Sequence, residues 1–383
     1  MPVDVAPAVA TTTMEITVSK FELLRELTAT QGVVERKTTI PILSNYLFEA
    51  SGDKLSLTAT DLDLSLRTSC NAKVKKEGAC TIPARKLYDY VKLLPDADIT
   101  IKLLENHWVS IRCGRSNTKM VGMAKSNFPG LPVFPAAGSI KISAPVLRSM
   151  IAKTGFAIAS EESRYTLNGA LMVLKPESIT MVATDGHRLA HIERQGEKFE
   201  GVSGEMKTLV PKKAMDELKS LLDSDVETID FAKDDSTLFF RVGPRLLTSR
   251  QLTGQFPNYE AVLPKDITKS IALHGDELGA AIARVAQFAD ERSRAVRLRL
   301  EKGELKISAS STETGESEDS IEVAYDGDPM AIGFNAQYLM DFIKATGSCE
   351  VKLELKDAQS AGQLRPAESE DYKYRYIVMP MRI

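Results

Sequence analysis

MEITVSKFELLRELTATQGVVE at residues 14–35 sets a pattern that returns in SIKISAPVLRSMIAKTGFAIAS at 139–160 and KSIALHGDELGAAIARVAQFAD at 269–290. Each stretch opens with alternating apolar and polar residues, which predicts a strand, and continues with apolar residues three or four positions apart, which predicts an amphipathic helix. Ser19 followed by Glu22 predicts a capping box at the first of these helices. The stretches begin 125 and 130 residues apart, so we infer an internal repeat.

Two further patterns return at similar spacing. Strand–turn–strand units are predicted in LSLTATDLDLSL (55–66), ITMVATDGHRLAHI (179–192) and LKISASSTETG (305–315). A second helix is predicted in CTIPARKLYDYVKLLP (80–95), TLVPKKAMDELKSLLD (208–223) and IGFNAQYLMDFIKATG (332–347). Alternating strands with helices on one face predict an α+β fold of antiparallel sheets.

The domain boundaries are predicted from the Pro- and Gly-rich stretch at 131–137 and from the Pro264–Lys265 junction. Because the repeat begins near Met14, the first residues are interpreted as a tail. The predicted division is an N-terminal tail at 1–13 and three repeated domains at 14–135, 136–264 and 265–383.

The composition is that of a folded protein, with 43% hydrophobic and 26% charged residues in 383. A net charge of -3 excludes a uniformly basic nucleic-acid binder but allows a basic surface made by the helices. No stretch reaches 18 consecutive apolar residues, so we expect a soluble cytoplasmic protein without a membrane anchor. The cysteines are widely spaced, which favours reduced thiols over a disulfide framework or a zinc site: Cys70, Cys80, Cys113 and Cys349.

Catalytic signatures are missing from the sequence. It contains neither GxxxxGK[ST] nor GxGxxG, so nucleotide hydrolysis is not expected. His187 and His191 are four residues apart, but their surroundings alternate like strands around a turn, and no metal site is predicted. A hydrolase using Asp185 and His187 with Ser160 or Ser163 is an alternative without a GxSxG elbow to support it.

Two features have both a structural and a functional interpretation. TDGH at 184–187 predicts a tight turn whose aspartate accepts hydrogen bonds from backbone amides, or a turn that presents His187, Arg188 and Leu189 to a cleft. The final YIVMPMRI at 376–383 predicts a core strand, or flexible thioether side chains beside a peptide-binding cleft.

Several of these stretches together resemble the bacterial sliding clamp family, the beta subunits of DNA polymerase III. The resemblance extends over this chain from Met14 to Ile383. The matching motifs are PILSN (41–45), TIPARK (81–86), RYTLNG (164–169), ATDGHRLA (183–190), FPNYEAVLP (256–264), IGFNAQY (332–338) and VMPMRI (378–383). The resemblance implies three clamp domains in a crescent and two crescents closed head to tail around duplex DNA. It implies a processivity factor without catalytic activity, cofactor or metal.

The resemblance also implies partners. They are double-stranded DNA, a second copy of the chain, and proteins with short hydrophobic clamp-binding motifs: the polymerase III alpha subunit, the clamp loader, other polymerases and mismatch-repair proteins. A paralogue tolerant of a clamp-directed inhibitor is an alternative that the sequence does not separate from the replication clamp.

Site residues follow from the resemblance and from the basic helices. DNA contacts are expected at Lys37, Arg85, Arg164, Tyr165, Lys212 and Lys213, whereas the acid Glu161 in the same loop should repel phosphate. Ring closure is expected to use Met120 and Phe288, with the polar Thr118 and Gln287 beside them. The peptide pocket is expected at Leu167, Thr184, Gly186, His187, Arg188, Leu189, Pro257, Val262, Ile377, Val378, Met379, Pro380, Met381 and Arg382.

Overall fold

A computed structural model describes residues 14–35, 38–136, 138–161, 163–222, 225–369 and 371–382. The predicted tail at 1–13 and the predicted DNA contact Lys37 lie outside these described residues. The helices are α1 (Lys20–Ala29), α2 (Ala84–Leu93), α3 (Ala144–Thr154), α4 (Lys212–Leu221), α5 (Gly275–Val285) and α6 (Ala336–Thr346).

The strands are, in chain order, β1 (Glu15–Ser19), β2 (Asn45–Ser51), β3 (Lys54–Thr60), β4 (Leu64–Asn71), β5 (Lys73–Lys76), β6 (Gly78–Pro83), β7 (Asp98–Leu103), β8 (Trp108–Cys113), β9 (Ser116–Val121), β10 (Ile140–Ser143), β11 (Gly169–Lys175), β12 (Ser178–Thr184), β13 (Arg188–Gln195), β14 (Met206–Pro211), β15 (Thr228–Lys233), β16 (Thr237–Val242), β17 (Arg245–Arg250), β18 (Lys269–His274), β19 (Ala295–Glu301), β20 (Glu304–Ser311), β21 (Gly315–Glu322), β22 (Met330–Asn335), β23 (Glu350–Leu355), β24 (Gly362–Pro366) and β25 (Lys373–Val378).

The predicted repeat is confirmed. The first pattern forms β1–α1, β10–α3 and β18–α5, and the second helix follows a strand in β6–α2, β14–α4 and β22–α6. The strand–turn–strand patterns form the hairpins β3–β4, β12–β13 and β20–β21. The same local sequence signals therefore fold in the same way in all three copies, and the α+β class is confirmed.

One compact unit contains the described residues up to Ala144 together with 217–250. Its sheets have the strand orders β5-β1-β7-β8-β9 and β10-β15-β16-β17-β4-β3-β2-β6. Helix α1 packs against α2, and Leu23, Leu27, Leu87 and Val91 are fully buried, so these apolar faces form part of the core.

A second compact unit contains residues 145–216 and the described residues from 251 onward. Its sheets have the strand orders β14-β11-β12-β13-β25-β24-β23-β18 and β21-β20-β19-β22. Helix α5 packs against α6, and Leu278, Ile282, Leu339 and Phe342 are buried there. None of the helices described in either unit is both long and apolar enough to cross a membrane.

The long sheets join strands from neighbouring repeats. In the first unit β17 pairs with β4, with Leu247 opposite Leu66, and in the second β13 pairs with β25, with Leu189 opposite Ile377. Consecutive repeats are therefore tied by backbone hydrogen bonds as well as by side chains. The domain boundaries at 135/136 and 264/265 remain a prediction. Each compact unit combines strands from both sides of one predicted boundary, so the units do not coincide with the predicted domains.

The predicted capping box forms only in part. Ser19 Oγ accepts a hydrogen bond from Glu22 N at 3.2 Å, as expected for an N-cap. The Glu22 carboxylate does not complete the box; it accepts from Asn71 N at 3.1 Å, at the end of β4. A tertiary contact therefore replaces the local one.

A buried carboxylate links α1 to two strands of the first unit. Glu26 is fully buried, and its oxygens accept hydrogen bonds from Arg245 Nε at 2.9 Å, Thr68 Oγ1 at 2.5 Å and Arg25 Nε at 2.7 Å. Burial by itself raises the pKa of the Glu26 carboxyl, but the hydrogen bonds from Arg245, Thr68 and Arg25 outweigh it and hold that pKa below its usual value. Glu26 is therefore held as a charged, fully bonded group.

Candidate functional site

The turn between β12 and β13 has the predicted tight geometry. Asp185 Oδ1 accepts from His187 N at 2.9 Å and from Arg188 N at 3.0 Å. Thr184 Oγ1 donates to Arg188 O at 2.6 Å and accepts from Gly186 N at 3.1 Å. Gly186 has a φ of 89°, a left-handed conformation that favours glycine. Local hydrogen bonds therefore fix the backbone that carries the predicted cleft residues.

Arg188 is the best-connected side chain of this turn. Its Nε lies 3.0 Å from Asp185 Oδ2, its Nη1 lies 2.6 Å from Asp341 Oδ2, and its Nη2 donates to Phe156 O at 2.6 Å. The guanidinium also lies 4.3 Å from the centre of the Tyr338 ring, a cation–π distance. With a side chain only 10% exposed, Arg188 is held by intramolecular partners on several sides.

The environment keeps Arg188 charged. Burial, the largest influence, lowers the pKa of its guanidinium, but contacts with Tyr376, Asp341 and Asp185 outweigh it and raise that pKa above its usual value. Burial also raises the pKa of the Tyr376 hydroxyl, and the contact with Arg188 offsets only part of that rise. The cation is therefore a permanent part of the site.

An apolar cavity of about 130 Å³ lies beside the turn. Its apolar character comes from aliphatic side chains of four segments, with Thr184, Gly186 and Arg188 at the turn as the polar part. It is lined by Leu167, Thr184, Gly186, Arg188, Leu189, Pro257, Tyr259, Val262, Ile377 and Met379. A small apolar space with a few fixed polar groups suits the burial of apolar side chains from a ligand.

The structure brings nine of the fourteen predicted pocket residues around this cavity. The other five do not line it: His187, Val378, Pro380, Met381 and Arg382. His187 is exposed in the turn, and Val378 is fully buried because it follows Ile377 and points to the opposite face of β25.

Met379 and the residues that follow it line two different spaces. Met379 N donates to His187 O at 2.9 Å, and the Met379 side chain is 39% exposed at the cavity. Met381 N instead donates to Gly333 O at 2.8 Å, beside β22. Pro380, Met381 and Arg382 line a separate groove. The predicted core strand is present as β25, and Met379 borders the cavity, whereas peptide binding there stays a prediction.

Tyr259 is a lining residue that the sequence analysis missed. It lies in the FPNYEAVLP motif between the predicted Pro257 and Val262, so its position in the motif was the available signal. Its ring centre lies 5.6 Å from that of His191, which is buried on β13. Burial raises the pKa of the Tyr259 hydroxyl and lowers that of the His191 imidazole, so both groups are neutral at pH 7.

The predicted DNA-contact residues that are described belong to different elements of the two units. Arg85 is in the first turn of α2, and its side chain is 82% exposed with Asp89 at 4.0 Å. Lys212 and Lys213 begin α4. Tyr165 is 53% exposed, and the neighbouring Arg164 has a half-buried side chain.

Arg164 has two intramolecular partners. Its Nε lies 3.4 Å from Glu161 Oε2, and its Nη1 donates to Asp185 O in the turn. The acid that was expected to repel phosphate is thus partly balanced by an arginine three residues away.

The predicted ring-closure residues are partly exposed. Met120 lies on β9, and Phe288 follows α5 in a short helical turn at Ala286–Phe288. β9 and β21 are the terminal strands in the described orders of their sheets. Terminal strands of a sheet are available for pairing with another chain.

The carboxylate proposed for a hydrolase is engaged in other contacts. The Asp185 carboxylate accepts two backbone amides and the Arg188 guanidinium, and the hydrogen bond it makes to His187 is to the backbone. His187 and His191 are also separated by environment, since one is exposed and the other buried on β13.

Comparisons with known proteins cover almost the whole chain. Family models of the DNA polymerase III beta subunit match in order: the N-terminal domain at residues 14–132, the central domain at 141–258 and the C-terminal domain at 260–382. The beta sliding clamp of Caulobacter vibrioides is 36% identical over 376 residues, which cover 97% of this chain and 100% of the relative. That of Vibrio cholerae is 32% identical over 372 residues, with the same coverage.

Solved structures agree with these relatives. The DNA polymerase III subunit beta of Pseudomonas aeruginosa has a TM-score of 0.90 at 34% identity, covering 97% of this chain and 100% of that one. A sliding clamp from Bartonella birtlesii bound to griselimycin has a TM-score of 0.91 at 32% identity, with the same coverage. The chain belongs to the DNA polymerase III beta subunit family, the beta sliding clamps. Its three repeats are the three clamp domains of that family.

Proposed function

We propose that this chain holds a replicative polymerase on DNA by enclosing the duplex as a ring and by binding its protein partners in the apolar cavity. The observation that carries the proposal is that cavity: nine residues expected from the resemblance surround one apolar space in a chain that matches its sliding clamp relative over the relative's whole length. Enclosure gives retention without base recognition, because the ring can leave DNA only by opening or by reaching an end.

The ring would be a head-to-tail homodimer. β9 carries Lys119 and begins directly after Arg115, whereas β21 is acidic, with Glu316, Glu318, Asp319 and Glu322. Pairing of β9 of one copy with β21 of another would extend both sheets and bring opposite charges together. Each chain has one strand of each kind, so two such contacts close a ring of two copies. Met120 and Phe288 would add apolar contact.

DNA would be held through phosphates. Arg85, Lys212 and Lys213 lie at helix N-termini, where backbone amides also favour anions. Arg164 and Tyr165, together with Lys37, would complete the contacts. Because such contacts carry no sequence information, they allow sliding. Glu161 weakens the site only in part, since Arg164 lies 3.4 Å from its carboxylate.

The cavity would receive the hydrophobic side chains of short clamp-binding motifs. The expected carriers are the polymerase III alpha subunit, the clamp loader, other polymerases and mismatch-repair proteins. Arg188 has its guanidinium N–H groups engaged by Asp185, Asp341 and Phe156, so the cavity would select apolar side chains and not acids. The predicted domains at 14–135, 136–264 and 265–383 would supply this site from the second and third copies.

The chain would perform no chemical step, and ring opening would be driven by a separate ATPase in the cytoplasm. Primer extension on a primed circular template tests this role, with polymerase, clamp loader and ATP present throughout. Adding the chain is expected to lengthen the products, and Met379→Ala is expected to shorten them again. Products of equal length with and without the chain would contradict the proposal.

A further inference from the structure

His191 is a buried histidine beside the apolar cavity. It is 8% exposed and follows Leu189 by two positions on β13, so both side chains point to the same face of the strand. Leu189 lines the cavity, whereas His191 does not. The residues opposite His191 are the apolar Val182 on β12 and Arg375 on β25. His191 therefore continues the cavity face along the sheet.

Tyr259 connects His191 to the cavity. Tyr259 lines the cavity, and its ring centre lies 5.6 Å from that of His191, with an angle of 34° between the two rings. It also packs against the apolar cluster that contains Leu189 and Ile377. At this point the cavity wall is an aromatic ring that contacts an imidazole. The position of the Tyr259 ring therefore depends on the position of His191.

The surroundings of His191 suit a neutral imidazole. Its Nδ1 is buried and has no hydrogen-bond partner among the residues that the structure describes. An imidazolium carries a proton on both nitrogens, and a buried N–H without an acceptor costs free energy. Burial is the largest influence on this group and lowers the pKa of the imidazole below its ordinary value of 6.5. The fold therefore favours the uncharged form.

Three charged side chains act on His191 from the elements around it. Arg375 lies opposite on β25 and disfavours a second cation, whereas Glu193 on β13 and Glu260 beside Tyr259 favour one. Burial and Arg375 together outweigh the two acids, since the pKa is lowered. The free-energy cost of keeping the imidazole buried therefore grows as the pH falls through this lowered pKa.

We propose that His191 is a positioning residue of the apolar cavity: the neutral imidazole holds the Tyr259 ring in the cavity wall, and protonation of His191 releases that ring and weakens the binding of apolar peptides. The inference rests on the proposed function, since it concerns the same cavity. It gives the chain an affinity for its partners that depends on pH, with the neutral form as the one that binds.

Fluorescence anisotropy with a synthetic peptide tests the inference. The probe, named the core peptide, is short, rich in Leu and Phe, blocked at both ends and labelled with rhodamine. It has no titratable side chain, so a pH effect on its affinity belongs to the protein. The affinity of the wild type is expected to fall about fivefold from about pH 8 to about pH 5, while circular dichroism shows an unchanged fold. Equal affinity at the two pH values would overturn the inference.

His191→Phe identifies the titrating group. Phenylalanine keeps an aromatic partner for Tyr259 and takes up no proton, so this variant is expected to bind the core peptide with one affinity at both pH values. His274→Gln is the control, since it removes an exposed histidine at the end of β18 in the same unit and should keep the loss seen in the wild type. A loss that persists in His191→Phe would overturn the inference. Should His191→Phe not fold, His191→Gln takes its place with the same expectation.

A double-mutant cycle at about pH 8 tests the contact between the two rings. His191→Ala and Tyr259→Ala are each expected to weaken binding of the core peptide about fivefold. Because His191 acts through Tyr259, the double variant should bind no more weakly than Tyr259→Ala alone. Losses that add in full would show that the two side chains act separately, and would contradict the inference.

These outcomes separate the inference from the proposed function. Binding of the core peptide that does not respond to pH contradicts the role of His191 and leaves the cavity as the partner site. Absence of core-peptide binding to the wild type at about pH 8 contradicts both.

Discussion

Arg188 Nη1 and Asp341 Oδ2 lie 2.6 Å apart, which joins the turn before β13 to helix α6. The two residues belong to the central and C-terminal family models. Their side chains are 10% and 20% exposed. The ion pair lies beside the β13–β25 pairing, so a wall of the cavity is held by a buried charge as well as by a sheet.

Asp341→Asn is expected to lower the free energy of unfolding by about 2 kcal/mol, because the Arg188 cation keeps its burial and loses one anionic partner. Urea denaturation measures the change. Asp89→Asn is the matched control, since Asp89 pairs with Arg85 in solvent at 4.0 Å, and it should cost under about 0.5 kcal/mol. Equal losses of unfolding free energy in the two variants would show that the buried ion pair stabilises the fold no more than the exposed one.

Met379→Ala is expected to weaken binding of the core peptide about tenfold, because it removes apolar surface at the rim of the cavity. Met381→Ala is the control, since Met381 lines a different groove. It should change the affinity less than about twofold. Anisotropy titrations measure both affinities. A larger loss of affinity in Met381→Ala than in Met379→Ala would contradict the assignment of the cavity as the binding site.

Glu26 gives the first unit a pH dependence. Its pKa in the folded chain lies below the ordinary value of 4.5, so its stabilising effect is complete above that value and is lost as the pH falls through the lowered pKa. Glu26→Gln removes the titrating group. The melting temperature of the wild type should therefore exceed that of the variant most at pH 7. The difference should shrink as the pH falls below about 4. A difference that stays constant over this range would contradict the assignment.

Lys119→Glu is expected to raise the dimer dissociation constant about tenfold, because an acid on β9 would face the acids of β21. Lys141→Glu makes the same charge change at an exposed position on β10 and should leave the dimer intact. Sedimentation equilibrium checks both against a dimer of about 84 kDa, twice 42.0 kDa. A dimer insensitive to Lys119→Glu would contradict the pairing of β9 with β21.

Local signals were sufficient for the first strand, the hairpin and the two helices of each repeat. Period-two and helical alternation located these elements, and Asp185 followed by Gly186 located the turn, because such features depend on neighbours in sequence. The capping box failed in its second half, since Glu22 finds Asn71 through the tertiary fold. No local pattern contains that contact.

Most of the candidate site was predictable only through the resemblance, although the TDGH turn and the C-terminal strand were singled out as candidate cleft walls from the sequence alone. The partners of Arg188 lie 32 and 153 residues away in Phe156 and Asp341, so periodicity could not find them. The same holds for the pairing of β17 with β4 across a predicted boundary. Val378 was expected in the pocket with Ile377, but strand alternation sends the two side chains to opposite faces.

Retention on DNA of two topologies tests the enclosing ring most directly. The chain is loaded with a clamp loader and ATP onto nicked circular DNA, freed of unbound protein by gel filtration, and followed before and after a restriction enzyme linearises the circle. The account predicts stable retention on the circle and release once the DNA has ends. Equal retention on circular and linear DNA would contradict it, because a protein held by phosphate contacts alone does not sense an end.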